Sequence, residues 1–224
     1  VINKAHDFKF EPKASPVAKP PPKKDKPASE EKQKVRSRAT KTRDTQFFRR
    51  FKSETELENI LDWDLEPGCA YHVISGGDID SLSFLKFVLR QQPVKYCILS
   101  TWCMALQDIE EIDRYLNIGR IQRLDCYVGE IFKGSYFNEW RRLCDVMERY
   151  NGRAAIFRNH SKVITGFGDK FDFVIESSAN INTNPRTENT VITASSELAY
   201  FYKDFFDGII SFERNFDGWK PIEL

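Results

Sequence analysis

From residue 69 to residue 150 the chain alternates short apolar runs with longer amphipathic ones, and this rhythm restricts its fold more than any other feature. "CAYHVIS" (69–75), "KYCILST" (95–101) and "IQRLDCYVG" (121–129) are bounded, apolar runs of strand length. Each is followed by a helical pattern. Leu82, Leu85, Val88 and Leu89 share one face of "DIDSLSFLKFVLRQQ", with Pro93 beyond its end. Leu106, Ile109, Ile112 and Leu116 do the same in "LQDIEEIDRYL", and Phe137, Trp140, Leu143, Cys144 and Met147 in residues 135–150. Such strand–helix alternation predicts an α/β domain whose central sheet is mixed and largely parallel, with helices on both faces.

After Gly152 the rhythm changes. "AAIFR" (154–158), "SKVITGF" (161–167), "FDFVIESS" (171–178) and "TENTVIT" (187–193) are strand candidates in close succession, with "GDK" as a hairpin turn, before "SELAYFYKDFFDGI" closes as a helix. Closely spaced strands allow single residues from several of them to converge on one site. Upstream, Phe47, Phe48, Phe51, Leu57, Ile60 and Leu61 have partly helical spacing and are expected to pack on the body.

The formal net charge of +1 hides two unlike parts. Residues 1–44 hold 13 Lys or Arg against 6 Asp or Glu, which leaves 21 against 27 of the chain's 34 and 33 for residues 45–224. Residues 1–44 read as a basic, Pro/Lys-rich flexible arm, too poor in apolar side chains to offset the entropy of ordering. Residues 45–224 form the folded domain. A basic arm suits nucleic acid, attracted through counterion release, and equally suits a plain spacer. The five cysteines, with no C-x-x-C spacing, fit reduced core thiols and a cytoplasmic setting. No segment has the roughly 18 apolar residues needed to span a bilayer, and the N-terminus carries no signal-peptide pattern.

The chemistry-bearing stretch is "HSKVITGFGDKFDFVIESSANINTNPRTEN", from His160 to Asn189. Two residues apart on a strand, His160 and Lys162 would share a face. The lysine biases the imidazole towards its neutral, nucleophilic form and can neutralise charge developing on a phosphoryl oxygen. Ser178 and Asn180 would share a face if the strand persists, and both offer neutral hydrogen bonds to phosphate oxygens. Glu188 could accept a proton from the imidazole and fix its tautomer.

This pattern resembles the phospholipase D superfamily, with the signature H-x-K, four residues, D, about six residues, G-S-x-N and a downstream acidic residue. His160 and Lys162 match H-x-K, Ser178 and Asn180 match S-x-N, and "TENTVI" matches the segment after the motif in the small bacterial endonuclease branch, which assigns Glu188 as the histidine's partner. The resemblance implies a phospholipase D-like sandwich. Three departures stand out: Phe167 holds the place of the motif aspartate, with Asp169 two residues later; Ser177 replaces the motif glycine; and the gap between these positions is about three residues longer than the family's. The chain has one such motif where the family brings two together. His72 has no lysine two residues later and His6 lies in the arm, so the resemblance implies a homodimer whose His160 residues share one site. It also implies a phosphohistidine intermediate without metal or cofactor.

Around this motif, Arg158 and Arg186 could hold neighbouring phosphates, Ser177 could line the substrate, and Trp102 in "STWCM" could stack on a base. "SGGDID" (75–80), with Asp78 and Asp80, reads as a helix-capping turn at the rim of the cleft. The function expected is metal-independent hydrolysis of a phosphodiester, nucleic acid before lipid and DNA before RNA, without membrane attachment. Two rivals fit the same residues: a degenerate nucleic-acid-binding or structural protein that lost its motif aspartate, and a phospholipid or small phosphodiester hydrolase.

Overall fold

The computed structural model describes residues 45–61, 64–77, 79–181 and 186–224. The basic arm, Asp78 and the side chains of Phe47, Phe48 and Phe51 lie outside the described residues. In chain order the elements are α1 (Thr45–Ile60), β1 (Ala70–Ser75), α2 (Ser81–Gln91), β2 (Val94–Thr101), α3 (Leu106–Asn117), β3 (Ile121–Gly129), α4 (Phe132–Ser135), α5 (Phe137–Arg149), β4 (Arg153–Phe157), β5 (Val163–Gly168), β6 (Phe173–Ser177), β7 (Glu188–Thr193) and α6 (Ser196–Asp207). Local chemistry sets several boundaries. Asp80 caps α2 by accepting from Ser83 N at 2.8 Å, as the capping-turn reading expects. Ser195 caps α6 in the same way through Leu198 N, and Asn151, at φ 54°, turns the chain from α5 into β4.

All seven strands form one mixed sheet in the order β1-β7-β6-β5-β2-β3-β4. The α/β class read from the sequence holds. Parallel pairing is confined to β2, β3 and β4; β1 with β7, β7 with β6, β6 with β5 and β5 with β2 are antiparallel. The reason is that only the first part of the chain supplies the crossover helices that parallel neighbours require. Following these pairings, β1, β2, β3, β4 and β6 all point one way, and β5 and β7 the other. Carboxyl ends of five strands and amino ends of two therefore share one edge, which is where the motif falls.

Each face of the sheet carries its own core. On one, Cys97, Leu99, Leu124, Cys126, Val128, Ile164, Phe173 and Ile192 pack against buried residues of α1 to α5, among them Leu57, Leu85, Ile112, Phe132 and Leu143. On the other, Tyr96, Ile98, Tyr127, Val163, Phe167 and Val174 pack against Ala199 and Phe206 of α6. The period of two along each strand divides these sets. Leu106 and Phe137, expected inward, are 41% and 55% exposed. Each is the first residue of its helix, where the apolar stripe has not yet turned onto the sheet.

The lengthened gap in the motif becomes the connection between β5 and β6. It wraps around the side chain of Gln92, whose Oε1 accepts from Lys170 N and Phe171 N and whose Nε2 donates to Phe171 O. A Cβ on Gly168 would lie 2.3 Å from Gln92 Oε1, so this close approach requires glycine. The extra residues are thus absorbed at the end of β5 distant from His160.

Candidate active site at the carboxyl edge of the sheet

β5 begins at Val163, so His160, Ser161 and Lys162 form a turn before the strand and the strand-face argument for the pair does not apply. The side chain of Asn159, 4% exposed, organises this turn. Its amide nitrogen lies 2.9 Å from Ser100 Oγ, 3.2 Å from Thr101 O and 3.0 Å from Tyr127 O, and its Oδ1 accepts from Ser161 N at 2.9 Å and Ser161 Oγ at 2.7 Å. One amide therefore fastens the turn to the ends of β2 and β3. Within the turn Ser161 N is satisfied by Asn159 Oδ1, while the nitrogen of the same amide satisfies the carbonyls of Thr101 and Tyr127 at the strand ends.

Lys162 folds back on His160. Its Nζ donates to His160 O at 2.6 Å and lies 3.2 Å from His160 Nδ1. Partial burial lowers the pKa of the Lys162 ammonium from its ordinary value, and the neighbouring Cys103 and Glu188 oppose the shift. Cys103 is 3% exposed and burial raises its thiol pKa, so it serves as packing beneath the lysine rather than as a nucleophile. Trp102 lies beside the histidine, ring centroids 5.7 Å apart and planes inclined at 52°. The indole rests on Gly129, where a Cβ would come within 2.4 Å of Trp102 Cδ1 and 2.9 Å of Trp102 O.

The S-x-N half of the motif starts at the end of β6. Because β6 stops at Ser177, Ser178 and Asn180 lie beyond it and do not alternate as strand residues. Ser177 N donates to Lys162 O at 3.0 Å, which joins the two halves through the backbone. Ser177 Oγ turns to Thr190 Oγ1 and to Ala179 N, so it shapes the turn more than it lines a substrate. The Ser178 hydroxyl donates to the Glu188 carboxylate in a short hydrogen bond and accepts from Asn189 N at 3.1 Å. Glu188, expected to orient His160, is held by Ser178. As the first residue of β7 it extends from the same sheet edge as the His–Lys turn. Asn180 Oδ1 lies 3.5 Å from Thr101 Oγ1, and the same threonine accepts from Ile181 N.

Phe167 is nowhere near this chemistry. It is 3% exposed, stacked with Tyr96 at 6.1 Å and against Tyr200 at 5.0 Å, and pairs with Tyr96 near the start of β2. It lies roughly 13 Å along β5 from Val163. The departure from the motif aspartate is therefore a change in the core beneath α6. Asp169, two residues on, pairs with Lys95 at that same far end.

Arg158 and Arg186 are both exposed, the first just after β4 and the second just before β7. Asn159, Ser100, Ser161 and Thr101 were not singled out by sequence reasoning. The asparagine next to the H-x-K was the one local sign of a fastened turn. Among the described residues no group of three or more His, Cys, Asp or Glu is placed to hold a metal ion, and no helix is long and apolar enough to cross a membrane.

No family model and no curated protein matches the chain. Among solved structures it is similar to the polyphosphate kinase of Porphyromonas gingivalis, with 15% identity, a TM-score of 0.48, and 69% of this chain and 26% of that one covered. It is also similar to the phosphatidylserine synthase of Haemophilus influenzae Rd KW20, with 16% identity, a TM-score of 0.45, and 61% of this chain and 37% of that one covered. The chain spans about a quarter to just over a third of their lengths, and at these scores the likeness carries no part of the functional reading.

Proposed function

We propose that this chain is a phosphodiesterase of the phospholipase D kind that acts on nucleic acid through a covalent His160 intermediate, in a site completed by a second copy of the chain. The observation that carries the reading is the joining of the two half-motifs: Ser177 N bonds Lys162 O, so His160, Lys162, Ser178 and Glu188 gather at one sheet edge. A nucleophile, a fixed cation and neutral hydroxyl and amide groups are what displacement at phosphorus needs.

In the proposed reaction the Nε2 lone pair of His160 attacks phosphorus, and the bond from phosphorus to the leaving oxygen breaks. That oxygen takes a proton from His160 of the partner subunit. Water then attacks the phosphorus held on His160 and gives its proton to the partner's His160. The nitrogen–phosphorus bond breaks, and a phosphate monoester leaves. Lys162 stabilises the charge on the non-bridging oxygens in both steps. Glu188, presented from β7, exchanges Ser178 for the partner imidazole as that ring becomes cationic.

Nucleic acid is favoured over lipid by the basic arm of residues 1–44 and by Trp102, a stacking surface beside the nucleophile. The five free cysteines support a reducing, cytoplasmic setting as part of this reading. The degenerate-protein reading drew on the missing aspartate and on the excess of 27 acidic over 21 basic residues in 45–224; Phe167 lies in the core, away from the site, so the first ground bears on packing, while the second remains in that reading's favour. The test is cleavage of single- and double-stranded DNA by the full chain with and without EDTA, beside a salt series on a variant lacking residues 1–44. Cleavage that survives chelation supports the reading. Loss of the arm should lower DNA affinity and flatten its salt dependence. Binding with no cleavage of any substrate would select the degenerate protein.

A further inference from the structure

Beside the His160 turn the sheet edge carries exposed apolar side chains. β2 and β3 are neighbouring parallel strands that both end at this edge, so the segments after them, residues 102–106 and 130–137, border the turn together. Gly129 fixes how close they come. Its amide donates to Trp102 O at 3.1 Å, and a Cβ there would lie 3.1 Å from Asn159 O, the carbonyl that precedes His160. The Cα of Ile131, two residues on, is therefore within roughly 7 Å of the Gly129 Cα. Phe137 is held from the other side: Tyr136 before it reaches the thiol of Cys103 and stacks on buried Phe132 at 5.6 Å. Leu106, Ile131 and Phe137 are 41%, 38% and 55% exposed, and half-buried Trp102 lies against His160 at 5.7 Å.

The charges at this rim do not favour a dense polyanion. Among the described residues the cations placed at the motif are Lys162, Arg158 and Arg186, and Lys133 in the second segment is taken up by Glu213 at 2.7 Å. Glu130 is exposed beside Ile131. Residues 45–224 as a whole carry 27 acidic against 21 basic side chains. Double-stranded DNA brings one negative charge per about 1.7 Å of axis and keeps its base faces inside the stack. It would meet repulsion from the body and leave the apolar side chains in water. A single strand has half that charge, one per about 3.4 Å, and its unpaired bases present flat apolar faces.

We infer that the site takes nucleic acid as an unpaired strand: the scissile phosphate lies between His160 and Lys162, and bases on one side of it rest on Trp102, Ile131 and Phe137. The inference rests on the nucleic-acid reading above and narrows it to single strands. Ile131 and Phe137 are then specificity residues, which touch bases and take no part in the chemistry. Pairing discriminates because a base inside a duplex has to leave its stack before its face can meet these side chains. Arg158 and Arg186 are left for the phosphates next along the strand.

The test is fluorescence anisotropy of the full chain carrying His160→Ala, which removes cleavage, at physiological salt. Three labelled probes of equal length are compared: oligothymidine, an abasic strand and a duplex. The abasic strand has the same phosphates as oligothymidine, so the basic residues 1–44 contribute alike to both. Oligothymidine is expected to bind at least about tenfold more tightly than either of the others. Adding Phe137→Ser should weaken oligothymidine about fivefold or more and Ile131→Ser by a smaller factor, both leaving the abasic strand unchanged. Circular dichroism checks folding, and if Phe137→Ser fails to fold, Ile131→Ser and the comparison of oligothymidine with the abasic strand decide. A duplex or an abasic strand bound as tightly as oligothymidine overturns the inference, as do variants that weaken all three probes alike. Binding of phosphatidylglycerol vesicles that is lost with Phe137→Ser, with no preference for oligothymidine, would make the rim a membrane contact and overturn it. Preference for oligothymidine in a wild type that cleaves nothing keeps the inference and removes the enzymatic reading. Cleavage of duplex and single strand at equal rates through His160 overturns the inference and leaves that reading standing.

Discussion

Nζ of Lys162 lies 3.2 Å from Nδ1 of His160 and 2.6 Å from the same residue's carbonyl oxygen. An ammonium can only donate, so Nδ1 accepts and a neutral imidazole in this arrangement carries its proton on Nε2. Attack through Nε2 therefore requires the imidazole proton to move from Nε2 to Nδ1 as Lys162 passes its hydrogen bond from the imidazole to the phosphoryl group. Burial lowers the lysine's pKa, so the alkaline fall in kcat/KM is expected to begin below the pH at which an ordinary lysine titrates. The unfolded chain binds more protons between the two values, so stability from this group rises with pH across that window. Lys162→Arg should remove the alkaline limb, and Lys162→Ala should lower kcat by ~10² to 10³. Steady-state pH profiles of the three proteins check this.

Asn159→Ala removes the amide's bonds to the buried carbonyls of Thr101 and Tyr127 and leaves Ser100 Oγ with Ser161 Oγ as its partner. The expected cost is about 1–3 kcal/mol of stability, measured by urea unfolding. Activity should fall further than stability alone explains, because the His160–Lys162 turn loses its fastening. The fall should appear in kcat rather than in KM.

Phe167→Asp restores the residue of the family pattern at a position 3% exposed between Tyr96 and Tyr200. It removes a buried aromatic ring and places a carboxylate among apolar neighbours, at an expected cost of at least about 3 kcal/mol. Thermal unfolding should show a large drop with no gain in hydrolysis per folded molecule. A variant that gained activity would mean that position 167 communicates with the site.

Gly129→Ala pushes against Trp102, whose Cδ1 would lie 2.4 Å from the new Cβ. If the indole is a platform for a base, this substitution and Trp102→Ala should both weaken binding of an oligonucleotide by about 1–3 kcal/mol. Binding of inorganic phosphate at the Lys162 side should be unaffected by Trp102→Ala, whereas Gly129→Ala also presses on Asn159 O, 3.1 Å from the new Cβ, and so on the turn. Competition titrations on the two variants separate the effects.

Strand and helix positions were legible because burial imposes periods of two and 3.6 on apolar residues, and those of Ile98, Leu99, Ile109 and Ile112 are undisturbed. His160, Lys162, Ser178 and Glu188, distant in pairs along the sequence, come to one edge of the sheet. Their conformation was not legible: an H-x-K spacing suits a strand and a turn equally. The choice is made by Asn159 reaching Ser100 and Tyr127, residues 59 and 32 positions away. Glu188 was assigned to the imidazole from the likeness of "TENTVI" to the segment that follows the family motif, whereas in the structure Ser178 bonds its carboxylate. The place of β1 at the far edge, beside β7, is likewise a long-range pairing that no local pattern carries.

The central claim is that His160 takes the phosphoryl group. The direct measurement is mass spectrometry of peptides after the full chain is mixed with a phosphodiester in EDTA and stopped in alkali, which preserves phosphohistidine. The account predicts an adduct on His160, still esterified on one phosphate oxygen, that forms and decays at the rate of turnover and is missing from His160→Ala. Hydrolysis that stops when metal is chelated, or that proceeds with the phosphoryl group on another residue, would contradict it.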